Sequence, residues 1–209
     1  MKITYSLFEC EGIELRSDEE SGKKTLKGYA AKFEKLSQPL YGFKEKVRRG
    51  AFSQSLKDGN IRALWNHNTD SVLGSTKNGT LRLIEDDIGL KFEIDLPDTQ
   101  VGRDAGVSVS RGDVDGMSFS FEVRKQEWDE KDDKNVIRTL IEVDLKEISP
   151  TAFPAYPQTK VTARSVKEDY KEHSEARKAE EEKEKQRQRD INELELRKSI
   201  TTLKEKECI

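Results

Sequence analysis

All 13 glycines and all 5 prolines of this 209-residue chain lie before Ser165. From Ser165 to Ile209 the chain holds 12 lysines or arginines and 13 aspartates or glutamates, with Tyr170 as its one aromatic. Such a segment has neither turn-formers nor apolar side chains enough to fold back on a core, while its Glu, Lys, Arg, Gln and Ala favour helix. No apolar residue occurs from Glu180 to Asp190, so a continuous coiled-coil seam is excluded. Leu196, Ile200 and Leu203 form one short stripe. The expectation is a domain over residues 1–164 followed by a charged helical or disordered tail over 165–209. The domain keeps 26 basic and 28 acidic residues, an ordinary balance for a folded unit.

Charge and residue counts remove several function classes. No apolar run approaches the ~20 residues that span a bilayer, and acids at Glu9 and Glu11 interrupt any signal-peptide core. A net charge of −3 argues against a nucleic-acid binder, which needs a basic face. Cys10 and Cys208 stand at opposite ends and suggest no disulfide framework, so a reducing, cytoplasmic setting is expected. Neither His67 nor His173 has a second histidine or cysteine at ligand spacing, so no metal is expected, and no cofactor motif is present.

Within the first 164 residues, alternating apolar and polar positions separated by glycine turns predict strands. Strands are expected at Thr4–Phe8, Leu26–Phe33 and Ile61–Asn66, the last delivering His67 at its end. Gly79–Leu83 and Gly89–Leu96 form a hairpin around Glu85-Asp86-Asp87-Ile88. Two more strands are expected at Gly116–Trp128 and Val136–Glu147, joined by a charged loop. Phe52 and Leu56, four apart, predict a short helix ending near Gly59; a second starts at Pro97-Asp98-Thr99 and runs to about Ser110. The sum is an α+β domain built on a small, mostly antiparallel barrel or sandwich.

The strand from Gly116 carries the chemistry-bearing pattern. Met117, Phe119, Phe121 and Val123 fall on one face, and Ser118, Ser120, Glu122 and Arg124 on the other. On pattern alone, serines of a solvated strand face are the simpler reading. His67 is the domain's one histidine, because His173 lies in the tail, so Ser–His chemistry has a single available base.

Several stretches, taken in order, resemble the prohead (procapsid maturation) serine protease family of tailed bacteriophages, relatives of the herpesvirus assemblin proteases. They are Arg49-Gly50-Ala51-Phe52 to Leu56, Leu64-Trp65-Asn66-His67, Val72-Leu73-Gly74 with Gly79-Thr80-Leu81, Arg111-Gly112-Asp113, Gly116-Met117-Ser118-Phe119, and Glu147-Ile148-Ser149-Pro150 running into Pro154-Ala155-Tyr156-Pro157. The resemblance implies an assemblin-type β-barrel with a few helices. It also implies a serine endopeptidase with Ser118 as nucleophile and His67 as general base. Ser120 stands where the family more often has glycine. The third triad member would follow the nucleophile on a neighbouring strand, in a window holding Glu142, Asp144 and Glu147. Glu147, inside Glu147-Ile148-Ser149, is the expected residue and Asp144 the alternative; a surface salt bridge accounts for either carboxylate as well. The Pro150-Thr151-Ala152 loop is one candidate source of an oxyanion donor. Implied partners are the major capsid protein and its scaffolding domain, with self-association a further expectation. The implied location is the assembling procapsid in the host cytoplasm. The same fold could also serve an idle assembly protein that binds capsid subunits through the tail.

Overall fold

The computed structural model describes residues 4–8, 13–18, 22–37, 39–40, 42–130, 135–152 and 160–207. Two compact units are present, residues 1–166 and 167–209. The first contains β1 (Thr4–Phe8), β2 (Glu14–Ser17), β3 (Lys24–Lys32), β4 (Phe43–Val47), α1 (Ser53–Asp58), β5 (Arg62–Trp65) and β6 (Asn68–Ser75). It continues with a 3-10 turn at Thr76–Asn78, β7 (Leu81–Glu85), β8 (Gly89–Asp95), α2 (Gln100–Ser110), β9 (Gly116–Asp129) and β10 (Val136–Thr151).

The strands form two open sheets rather than the closed barrel expected from the sequence. One sheet runs β1-β9-β10-β5-β6 with β4 also on β10; the other runs β2-β3-β8-β7. The length of β10, 16 residues, is the physical reason. One of its edges pairs with β9, and the other is shared by two short parallel strands, β4 along Val136–Leu140 and β5 at Glu147–Ile148. This branches the larger sheet, so that among the described strands β1, β4 and β6 are its edges, while β2 and β7 are those of the smaller sheet. The remaining pairings are antiparallel.

The two sheets share one core. Leu26, Leu90, Phe92 and Ile94 of the smaller sheet belong to the same buried cluster as Phe119, Phe121, Leu145 and Ile148 of the larger. Phe52, just ahead of α1, meets Phe119 edge-on with ring centroids 5.4 Å apart. Gly59 ends α1 in the left-handed region at φ 63°, donating its N–H to Ser55 O, as the sequence predicts for that glycine. Thr99 caps α2 through its hydroxyl and the Gly102 N–H. The short strands β2 and β4 and the whole of β6 are additions to the sequence reading, and β10 extends past Glu147 to Thr151. Pro154-Ala155-Tyr156-Pro157, Cys10 and Cys208 lie outside the described residues.

Asp95, at the end of β8, fastens the smaller sheet. Arg82 grips it bidentately at 2.8 and 2.9 Å, and Lys23 approaches at 2.7 Å. The Arg82 hydrogen bonds, followed by that from Lys23, hold the Asp95 carboxyl well below its usual range against a desolvation penalty. A carboxyl with a depressed folded-state pKa adds stability above its unfolded value and loses it as pH falls through the folded one. Asp95→Asn should therefore cost roughly 1–2 kcal/mol at pH 7 after allowance for the half-exposed arginine. In urea melts the gap from the wild type should shrink progressively below about pH 4.

The second unit belongs to α3 (Lys160–Glu207). Lys171–Glu175 and Arg177–Glu181 pair one turn apart, and Arg187 approaches Glu184 three residues back. Among the described residues no helix is long and apolar enough to cross a membrane.

Candidate active site

The centre of the larger sheet is set by a change of parity in β10. Leu145 lies opposite Phe121 and Ile148 opposite Phe119, all four in the core, although Leu145 and Ile148 are three positions apart and Phe121 and Phe119 two. A bulge between Leu145 and Glu147 absorbs the extra residue. Strict alternation would have turned Glu147 and Ser149 toward the core with Leu145. Instead Glu147 pairs with Ser120 and Ser149 with Ser118, so four polar side chains share the non-core face. This is not a solvated face. Ser118 and Ser149 are wholly buried, Ser120 is 3% exposed and Glu147 6%.

His67 reaches this face from the tip of the β5–β6 hairpin. Trp65 and Asn68 pair across a two-residue turn whose central residues, Asn66 and His67, have φ of 54° and 61°. Those are the left-handed values of a type I′ turn, which usually carries asparagine followed by glycine. Histidine there costs on the order of 1 kcal/mol. Three hydrogen bonds to the end of β10 hold the tip. The Asn66 N–H donates to Pro150 O at 3.1 Å, the Thr151 hydroxyl to Asn66 Oδ1 at 2.8 Å, and the His67 N–H to Ser149 Oγ at 3.1 Å. Irregular pairing of Ala63, Leu64 and Trp65 with β6 lets the hairpin bend before the tip.

Imidazole and carboxylate meet there. His67 Nδ1 lies 2.7 Å from Glu147 Oε1, with the imidazole side chain 21% exposed and the carboxylate side chain 8%. The second carboxylate oxygen, Oε2, accepts the Ser149 hydroxyl at 2.6 Å. A carboxylate on Nδ1 fixes the neutral ring with its proton there and leaves Nε2 as the basic nitrogen.

Asp144, the sequence alternative to Glu147, is engaged elsewhere. It accepts from Lys146 and from Arg124, both at 2.9 Å, and those bonds, Lys146 first, hold its carboxyl below the usual range. Glu142 lies opposite Lys125. Pro150 and Thr151, read from the sequence as a loop, are the last two residues of β10, opposite Met117 and Gly116. Proline has no N–H, so Pro150 cannot supply an oxyanion donor. Among the described residues no cluster of His, Cys, Asp and Glu is arranged to hold a metal.

The sequence matches the family described as caudovirus prohead serine protease over residues 11–175. The chain belongs to that family. It is thus a protease of bacteriophage capsid maturation, and the match takes in His67, Ser118 and Glu147 as well as Ser149. The fold is similar to that of the capsid assembly protease gp21 of bacteriophage T4, at a TM-score of 0.51 and 9% identity over 72% of this chain and 98% of that one. No curated protein matches the sequence. Three residues of this prohead protease that touch His67 or form its turn have contacts the sequence reading did not assign: Ser149, Asn66 and Thr151, the last considered there only as part of a candidate oxyanion loop. Ser149 sits within a stretch that carried the family resemblance, and that was its one available signal.

Proposed function

We propose that the protein is a serine endopeptidase in which Ser118 is the nucleophile, His67 the general base and Glu147 the residue that orients the imidazole. The observation carrying this reading is the 2.7 Å contact of His67 Nδ1 with Glu147, on the sheet face that also holds Ser118. Ser118 is favoured over Ser120 because it pairs with Ser149, whose hydroxyl binds the His67 main chain. Cross-strand partners have Cβ atoms about 4.5–5.5 Å apart, so Ser118 stands beside the hairpin tip.

The chemistry follows from these positions. As Ser118 Oγ bonds to the scissile carbonyl carbon, its proton passes to His67 Nε2. Glu147 stabilises the resulting imidazolium, which then protonates the leaving amine as the peptide C–N bond breaks. Water enters, gives a proton to Nε2 and attacks the acyl-enzyme; the same proton returns to Ser118 Oγ as the acid departs. Backbone donors at the oxyanion would each contribute about 3 kcal/mol.

The substrates are the scaffolding domains of capsid proteins inside an assembling procapsid, and the protease's own chain. The tail supplies a recruiting segment at Ile191–Leu203, and self-cleavage falls in the junction from Tyr156 to Lys171, whose part from Lys160 onward is helix in α3 and must unwind to enter the site. A cleft accepts extended chain at the high effective concentration of its own polypeptide, whereas packed strands resist it. Co-expression with the capsid protein, read by intact mass, tests the reading. The wild type should shorten the capsid protein and lose its own tail, while Ser118→Ala leaves both at full length. Equal processing by the two chains would overturn the assignment. Unchanged incorporation into procapsids after truncation at Arg164 would overturn the recruiting role.

A further inference from the structure

Ser149 lies within the site yet has no role in the acyl-transfer steps above. Its hydroxyl proton is committed to Glu147 Oε2 at 2.6 Å, and its oxygen accepts the His67 N–H at 3.1 Å. It is wholly buried and faces Ser118 across the strand pair. With its one proton engaged by a carboxylate, Ser149 is poorly placed to give that proton to the imidazole, as a nucleophilic serine must.

Both ends of the histidine–carboxylate pair are thereby tied to one atom. Glu147 has two oxygens, and a carboxylate held at one of them alone can rotate about its last torsion. The Ser149 hydroxyl fixes the second, which leaves Oε1 aimed at Nδ1. On the other side, the same oxygen satisfies the main-chain N–H of a histidine held at φ 61°, where the backbone would otherwise relax. Pro150 and Thr151 anchor Asn66, the preceding residue of the turn, but of these three contacts only that of Ser149 couples the turn to the carboxylate.

We infer that Ser149 is a positioning residue for the His67–Glu147 pair, its hydroxyl setting both the carboxylate's rotation and the histidine's main chain. The inference rests on the catalytic reading above. A displacement of about 1 Å in such a pair costs on the order of 10²-fold in rate. Removing the hydroxyl should thus lower kcat by about that factor with KM little changed, because no substrate contact is lost.

Threonine and valine separate the hydroxyl from the space it fills, since both add the same branched bulk. Ser149→Thr should retain most of the kcat for the capsid-protein precursor, whereas Ser149→Val and Ser149→Ala should both fall about 100-fold. A second readout does not depend on turnover. In the Ser118→Ala background, the proton NMR resonance of His67 Nδ1–H hydrogen-bonded to carboxylate should persist in Ser149→Thr. It should broaden or vanish in Ser149→Ala and Ser149→Val. Retention of kcat and of the resonance in Ser149→Ala would overturn the inference, as would equal losses in the threonine and valine variants. Full cleavage by Ser118→Ala would overturn the catalytic reading instead, while the resonance would still report on Ser149.

Discussion

His67→Ala and Ser118→Ala should each lower cleavage of the capsid precursor by about 10⁵-fold or more, and the double variant should be no worse than either single one. Non-additivity is the diagnostic part. The serine hydroxyl is a poor nucleophile until its proton has somewhere to go, and in this domain His67 is the one imidazole. Removing either partner removes the same step. Glu147→Gln should cost about 10⁴-fold, because an amide presenting its NH2 to Nδ1 selects the wrong tautomer and cannot stabilise an imidazolium. Ser120→Ala should stay within a few-fold of the wild type, although Ser120 lies opposite Glu147 on the same face. Single-turnover rates on purified capsid precursor check all five variants. Additive losses for His67 and Ser118, or a defect in Ser120→Ala equal to that of Ser118→Ala, would break the proposed assignment.

The second large effect is on stability and lies at the other end of β10. Arg138 is 1% exposed, and its guanidinium bonds Glu45 Oε2 at 3.1 Å and Gln126 Oε1 at 2.7 Å. It also lies 5.6 Å from the centre of the Trp128 ring, which packs edge-on against Phe43. This buried pair joins β4 to β10, where the register sets Arg138 beside Glu45. Removing the arginine takes a cationic partner from a carboxylate with 2% exposure, so Arg138→Met should destabilise the domain by about 3–5 kcal/mol. The double variant Arg138→Met, Glu45→Leu removes both charges and should recover much of that loss. Chemical denaturation of the three proteins measures it. A double variant as unstable as Arg138→Met would mean that packing, not charge, holds this junction.

How far the sequence reaches into this structure depends on whether a feature is local. The hairpin of β7 and β8, both short helices and the face assignment of Met117, Phe119 and Phe121 follow from alternation and capping, and these are present. Closure of the sheet is not local. The 16 residues of β10 share one edge between β4 and β5, and no periodicity within those strands announces it. The site shows the same division. His67 at the end of a strand and serines on the non-core face of β9 are legible from spacing. The meeting of His67 with Glu147 depends on a bulge that reverses the parity of β10, and on two left-handed residues in the β5–β6 turn. Alternation carried through from Leu145 points Glu147 inward, so the family resemblance, not the pattern, singled out that residue. Ser149 was missed because a serine bonded to its own i−2 neighbour and to a main-chain N–H has no sequence signature.

Whether His67 activates Ser118 as a nucleophile is tested by a fluorophosphonate that labels activated serines, followed by peptide mapping of the modified protein. One adduct is expected, on Ser118, formed by the wild type and Ser120→Ala and absent from His67→Ala. An adduct on Ser120 or Ser149, or labelling of Ser118 undiminished by loss of His67, would contradict it.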